Sequence, residues 1–496
     1  MKQLILLICF PLQVVCQNTI GFPDIINYPK QSYKAGLQNW DIKQDKNGIV
    51  YFANNEGLLS FDGKYWNNHP LPNKTNVRSV EIGPANRIYV GGQDELGYFA
   101  PAANGRLLYY SLIEQIAAKD RSFGDVWDIV AFKGNIHFRS PKKIFKFTDR
   151  AVAVFNAPSE WDFLGECNGK LFAHDYAAGL LVFENDIWAP VFTENILPVN
   201  DPVTGIISIQ KDSAIITTLK NGLFLLSDTR IAVLPSVNNQ LFKNERVYAA
   251  TSINKDWIAL ATNNNGIYIT DTKGNIIQSF SRTEGLQNNN VLSILLDRER
   301  NLWLGLDNGI DLITYNSAIK QIKPMLQDGS GYNVMIYDRQ LFLGTSNGLF
   351  SVPLQPVQDM SFSRGSFTSI ANAKGQTWSL ANINNQLLLG HHEGAFSIKN
   401  NTANPISLNK GFWNFIPLSN TFPTSRIIAG GYNGLTIFDY SNGQFMHSKK
   451  IPGFEESSRF VELDKDSNIW VSHPYHGVFK ITNSTGGNYS ILSYSN

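Results

Sequence analysis

The sequence predicts an all-β protein, a tandem β-propeller of four-stranded blades, on three observations. A unit centred on "NLWLGLDNGIDLITY" (301–315) is printed eleven times, each copy alternates short apolar strands with polar turns, and the copies start about 42 residues apart. That spacing is the length of a propeller blade and not of a helical solenoid repeat.

In chain order the copies are "GIVYFANNEGLLSFDG" (48–63), "RIYVGGQDELGYFAP" (87–101), "NIHFRSPKKIFKFT" (135–148) and "KLFAHDYAAGLLVFEN" (170–185). Then come "AIITTLKNGLFLLSD" (214–228), "WIALATNNNGIYITD" (257–271) and the 301–315 unit. The last four are "QLFLGTSNGLFSVPL" (340–354), "QLLLGHHEGAFSIKN" (386–400), "RIIAGGYNGLTIFDY" (426–440) and "NIWVSHPYHGVFKIT" (468–482).

Each copy justifies its strands in the same order. A short apolar strand comes first, as in "WDIKQD" (40–45), "VLSILLD" (291–297) or "RFVELD" (459–464). A turn such as "DKNG" (45–48), "DRERN" (297–301) or "DKDSN" (464–468) follows, because Asp, Asn and Gly close hairpins on their own backbone. The second strand is β-branched and aromatic, which makes Trp303 and Trp470 packed aromatics, and it often ends in glycine: Gly305, Gly344, Gly390, Gly430. Glycine inside a strand marks a bulge or a close backbone approach. Asn221-Gly222, Asn265-Gly266, Asn347-Gly348 and Asn433-Gly434 then turn into a third strand. About 15 residues per unit remain for a more variable outer strand. One short helix is expected within "YYSLIEQIAAKDR" (109–121).

Rings close at four to eight blades, so eleven copies exceed one. The simplest division is a seven-bladed propeller over 17–322 and a second over 323–496 with four blades, a split into five and six being the alternative. The end, "NYSILSYSN", reads as following a third strand with no cap, so a truncated piece of a longer protein is expected. Residues 1–16, one lysine and an apolar run too short to span a bilayer, read as a cleavable secretory signal, with a lipoprotein anchor through Cys16 the weaker reading. Cleavage there leaves Cys167 alone, so no intramolecular disulfide forms and stability comes from packing.

Composition narrows the function. Of 496 residues 43% are hydrophobic and 12% aromatic, which excludes a disordered chain; 17% are charged, with a net charge of +1 and no basic stripe for nucleic acid.

The unit "EGLQNNNVLSILLDRERNLWLGLDNGIDLI" resembles the repeat of the two-component regulator propeller sensors of Bacteroidetes-type bacteria, hybrid two-component and triple-tyrosine-motif regulators. The matches are Gly285, Leu286, Asn288, Asn289, Val291, Ile294, Asp297, Leu302, Trp303, Gly305 and Gly309; Leu306 stands where the family has Thr, and Arg300 or Asn301 where it has a second Gly. The resemblance implies a periplasmic sensor half with two seven-bladed propellers. An Ig-like domain, a membrane helix and a cytoplasmic kinase or helix-turn-helix output, absent here, usually follow. Many such sensors respond to glycan fragments.

On propeller geometry the head of each innermost strand and the loop between second and third strands share one face. The heads carry Trp40, Arg78, Trp127 and Trp161 in the first ring, and Trp378, Trp413 and Arg459 in the second. The loops add Asn54, Asn55 and Glu56, then Gln93, Asp94 and Glu95, then His174, Asp175 and Tyr176. In the second ring they add His391, His392 and Glu393, then Tyr432, then His473, Tyr475 and His476. Indole faces stack on sugar rings, while Arg and amides read hydroxyls and acidic groups. These residues are the candidate ligand contacts. The competing readings are wedge packing for the tryptophans and inter-blade ion pairs for Arg78 and Arg459. The histidines invite a metal or acid–base reading, but they fall in a variable turn of the repeat, so that reading is the minor one. No phosphate loop, nucleophile elbow or cofactor motif is present.

The leading expectation is a non-enzymatic sensor for a small polar ligand or oligosaccharide, with a homodimer conceivable and the membrane reached only through missing parts. A lyase or glycosidase on the same fold, as in the streptogramin-inactivating lyases, with His391, His392 or His476 as base, is the alternative, and a protein-interaction platform the third reading.

Overall fold

The computed structural model describes residues 21–148, 151–192, 196–324, 329–354, 367–408, 410–484 and 488–494. The signal expected over 1–16 therefore lies outside the described residues. The chain forms two compact units, one over 22–321 and one from 322 onward.

The first unit holds seven four-stranded antiparallel sheets. Six are consecutive hairpin runs, over 39–69, 77–111, 128–156, 161–190, 203–233 and 247–280. The seventh takes three strands from 291–313 and its outer strand from the other end of the unit: Ile25–Tyr28 lies antiparallel to Ile310–Ile313, with Ile25 opposite Ile313 and Tyr28 opposite Ile310. That pairing closes seven blades. Its lock is the buried Asp311 carboxylate, which accepts from Asn27 Nδ2 at 2.7 Å, Gln287 Nε2 at 2.8 Å and the Gln287 amide at 2.9 Å.

Among the described residues the second unit holds four more such sheets, over 331–369, 377–407, 412–450 and 460–494. Within the segment "NYSILSYSN", Tyr489–Tyr494 forms the last sheet's fourth strand, where the sequence pattern suggested an uncapped end after the third. The helix expected in 109–121 is absent: a strand end and two single 3₁₀ turns, Ile113–Gln115 and Ala118–Asp120, occupy it. Two short helices that the pattern did not show, Lys30–Tyr33 and Asn239–Glu245, cap blade edges. Among the described residues no helix is long and apolar enough to cross a membrane.

Local chemistry explains the strands. Asp297 Oδ1 accepts the Asn301 amide at 2.7 Å while Oδ2 takes the Trp303 indole N–H at 3.1 Å. Asp464 repeats this with Asn468 and with Trp470 at 2.9 Å. One carboxylate thus shapes the turn and pins the tryptophan of the next strand. Gly305 is small because the neighbouring blade's innermost strand passes over it: a Cβ there would meet Ser293 Oγ at 2.2 Å and the Asn39 carbonyl at 2.5 Å. Gly390 and Gly430 face the Phe412 and Ser458 carbonyls of the next blade in the same way.

The core lies between blades. Phe52, Phe61 and Ile42 of the first blade close on Trp303 and Ile310 of the seventh, and Ala53, Leu58 and Tyr51 close on Val80, Ile88 and Val90 of the second. Each fully buried aliphatic or aromatic side chain contributes about 1.5–3 kcal/mol of transfer free energy. Polar stitches add to this near the axis: Asp41 Oδ2 accepts the Val80 amide, Asp128 Oδ2 the Leu164 amide and Asp162 Oδ2 the Val203 amide, each from the following blade.

Candidate functional site

One recurring irregularity builds the site. In six blades of the first unit the innermost strand skips one residue out of its ladder, and the skipped residues are Trp40, Arg78, Asp162, Thr204, Tyr248 and Leu292. Trp127 stands at the same place, just ahead of the Asp128–Arg139 pair. A bulge re-aims a side chain that the pleat would otherwise bury between sheets. All seven residues line one cavity of about 760 Å³ that runs along the innermost strands of the seven blades.

The mouth is two-sided. On one side the Arg78 guanidinium lies over the Trp40 ring at 4.3 Å and the Trp127 ring at 4.9 Å, and the two indoles meet edge to face at 5.6 Å. Asn55 Oδ1 accepts from Trp40 Nε1 at 2.7 Å and from Arg78 at 3.4 Å, and Asp125 pairs with Arg78 Nε at 3.3 Å. Arg78 is therefore also the inter-blade ion pair that the competing reading expected. On the other side are Asp162, Thr204 and Tyr248. Asp162 Oδ1 binds His174 Nδ1 at 2.7 Å, and its carboxyl is raised above the usual carboxylate range by burial, against the pull of His174. Burial likewise raises the Tyr248 phenol.

Deeper in the wall, Arg139 is held by Asp128 at 2.7 Å and donates to the Trp161 carbonyl at 3.2 Å. Lys43 pairs with Glu81 at 3.1 Å, which raises the ammonium pKa. Asp41 is pushed up to about 6 by desolvation, although Lys43 and the Val80 amide oppose it. Flat aromatic faces, a fixed guanidinium and hydrogen-bonding carboxyl and hydroxyl groups around one opening suit a polar, ring-bearing molecule.

In the second unit the bulged residues are Tyr332, Trp378 and Trp413. Trp378 lies against Tyr332 at 4.9 Å and Trp413 at 4.7 Å and donates to Tyr432 Oη at 2.7 Å. Tyr432 lies 4.8 Å from Trp413, and Arg459 covers Trp413 at 5.2 Å. The structure thus brings Trp378, Trp413, Tyr432 and Arg459 together, but as a cluster packed on itself.

Five of the sequence candidates stand elsewhere than at an open ligand face. Trp161 is 1% exposed, its ring packed on Trp188 at 5.7 Å. It holds the paired position before the bulge and borders the cavity from within the wall, while the bulged residue is Asp162, one place on. His391 is buried, and burial holds its pKa below the usual value. Its Nδ1 accepts the Glu393 amide at 3.3 Å, closing the turn as Asn54, Thr262 and Thr345 do in other blades. His392 is half-buried against Gly375, beside Glu393 at 3.7 Å. Tyr475 is exposed, and His476 is engaged by Glu456 at 2.8 Å.

Glu456, His473 and His476 lie close enough to face one cation. However, His473 Nδ1 accepts the amides of Tyr475 and His476 at 3.2 Å, which leaves the neutral ring's proton on Nε2, the atom a metal would need. The arrangement serves the turn. Thr204, Tyr248 and Leu292 escaped the sequence reading because none is Trp or Arg. The available signal was position, one residue after the last buried residue of the strand's head.

Residues 285–308 match the family described as two component regulator propeller. No curated protein matches the chain. Among solved structures, one described as the extracellular domain of a one-component system from B. thetaiotaomicron shares 15% identity, covering 96% of this chain and 74% of its own, with a TM-score of 0.47. Another, described as that of a hybrid two-component system of the same organism, shares 16% over 95% of this chain and 67% of its own, at 0.48. A catalytically inactive virginiamycin B lyase from Staphylococcus aureus with quinupristin shares 13% over 58% of this chain and 98% of its own, at 0.46. The chain is a β-propeller protein that carries the two-component regulator propeller repeat.

Proposed function

We propose that this chain is the extracytoplasmic, periplasmic sensor region of a bacterial signal-transduction regulator. It binds a polar ligand of the oligosaccharide class and passes the signal to membrane and cytoplasmic output parts. The observation that carries the reading is the ring of seven strand-head residues around the 760 Å³ cavity, with Trp40, Arg78 and Trp127 on one side and Asp162 and Tyr248 on the other. The regulator repeat at 285–308 supports the signalling half of it.

Among the described residues the histidine beside that mouth, His174, is buried and bound to Asp162. We read the site as binding without turnover, with cleavage by the carboxyls that line the cavity as the outcome that would overturn it. The test is a thermal-shift and calorimetric screen against an oligosaccharide panel, with the recovered sugars checked for cleavage. A ligand at a hundredfold its Kd stabilises by about 2.7 kcal/mol. Intact sugar and a shift abolished by Trp127→Ala are expected. Cleaved sugar, or a shift indifferent to Trp127, sinks the proposal.

A further inference from the structure

The walls of the first unit's cavity are unequal in charge. Six carboxyl side chains and three cationic ones line it, and all three cations are already held by carboxylates: Arg78 by Asp125, Lys43 by Glu81 and Arg139 by Asp128. Asp41, Glu160, Asp162 and Glu166 remain, and among the described residues none of them pairs with a lysine or arginine. Asp41 is answered by amides, those of Ile42 at 2.8 Å and Val80 at 3.1 Å. His174 does not neutralise Asp162. Its Nε2 is buried without a hydrogen-bond partner, so a second proton on the ring would bury an unpaired charged N–H. The neutral ring gives its one proton to Asp162 through Nδ1.

A second observation places this surplus at the mouth. The Tyr176 phenol, in the same wall, is pushed up to about 12 by burial and then by the Asp162 and Glu160 carboxylates. Among the described residues the Tyr176 and Tyr248 hydroxyls and the Glu160 carboxyl make no hydrogen bond. That wall therefore holds acceptors which the chain does not use, across from the indoles of Trp40 and Trp127.

We propose that the ligand of this cavity carries positive charge, as an oligosaccharide with unacetylated amino groups does, and that it sets an ammonium against Glu160 and Asp162. The inference rests on the reading of the cavity as a sugar site. An ammonium brings three donors and no acceptor, the complement of a wall of carboxylates and phenols. Its hydrogen bonds to carboxylates are charge-assisted and about twice as strong as neutral ones. A uronic or sulfated sugar would add negative charge beside the unpaired carboxyls, where every lining cation is already engaged. A cleft lined by one sign of charge also concentrates ligands of the other.

The experiment is calorimetric titration of the purified full chain near neutral pH with three tetrasaccharides: the glucosamine tetramer, its fully N-acetylated form and tetragalacturonate. It is repeated on Glu160→Gln and Asp162→Asn, with circular dichroism reporting that each stays folded. Asp162 also holds the Val203 amide, whereas the exposed Glu160 side chain holds nothing, so Glu160→Gln separates lost charge from lost structure. The glucosamine tetramer is expected to bind at least about tenfold more tightly than its acetylated form, with no binding of tetragalacturonate. Each substitution should lower the amine's affinity about tenfold and leave that of the acetylated sugar unchanged. Equal or tighter binding of the acetylated form, binding of tetragalacturonate, or an amine affinity that neither substitution moves overturns the charge inference and leaves the sugar reading standing. No binding by any of the three overturns the inference, and silence across the wider panel as well removes the sugar reading with it.

Discussion

The two densest copies of the repeat, 297–303 and 464–470, make the same local structure and meet opposite fates. Both turn on an Asp that takes an Asn amide and a Trp indole N–H. Trp303 is 4% exposed because Tyr28, Phe52 and Phe61, from the closing strand and the first blade, surround it at 5.6–5.8 Å. Trp470 has only its own blade, Tyr494 stacked at 5.8 Å and Lys480 over it at 5.4 Å. The carboxylates diverge accordingly. Burial raises Asp297, while the bonds from Trp470 and Asn468 lower Asp464. A repeat sets the hydrogen bonds inside a blade, and the neighbouring blade sets their energetic weight.

The largest effect expected from this contrast is at the tryptophans. Trp303→Ala opens a cavity between two blades and should cost about 3–5 kcal/mol, whereas Trp470→Ala, on a half-exposed face, should cost about 1 kcal/mol. Urea denaturation of the two variants measures it, and equal losses would break the comparison.

Next comes ring closure. Asp311→Ala removes a buried carboxylate and the acceptor of three partly buried donors on Asn27 and Gln287 and should cost about 1–3 kcal/mol. Asp311→Asn, which keeps one acceptor, should cost less, and proteolysis near residues 25–28 should follow the same order.

The smallest effect is in pH dependence, and its sign is the informative part. For Asp297 the folded pKa is raised, so its contribution is present at acid pH and is lost as pH rises above the unfolded value near 3.8. For Asp464 the folded pKa is lowered, so its contribution is present above that value and is lost as pH falls below it. The penalty of Asp297→Asn should therefore shrink between pH 3 and pH 7 while that of Asp464→Asn grows, read as the difference in Tm from wild type. Parallel trends would show that the neighbouring blade does not tune the motif.

Much of this was legible beforehand. The eleven hairpin units, the turn residues and the close approach at Gly305 follow from a period near 42 and from Asp, Asn and Gly chemistry, which is local. The site was half legible. Trp40, Arg78 and Trp127 stood out as large residues at strand heads and meet at one mouth. Trp161 misled because a one-residue offset in a strand reverses which face a side chain takes, and only pairing reveals where the bulge falls. His391 misled because a turn needs an acceptor at that position and an imidazole nitrogen supplies it as well as an Asn or Thr oxygen.

The sequence by itself determined the blades: hydrophobic alternation, hairpin turns and the Asp–Trp pairing act within about 40 residues of chain. The tertiary structure alone decided what lies between and around them. It paired Ile25–Tyr28 with a strand some 285 residues later, set six bulged side chains and Trp127 around one cavity, and left Trp303 buried and Trp470 partly exposed. The physical reason is that burial, and with it the weight of every hydrogen bond and charge, depends on which blade stands alongside, and blades far apart in the chain share no local pattern that says so.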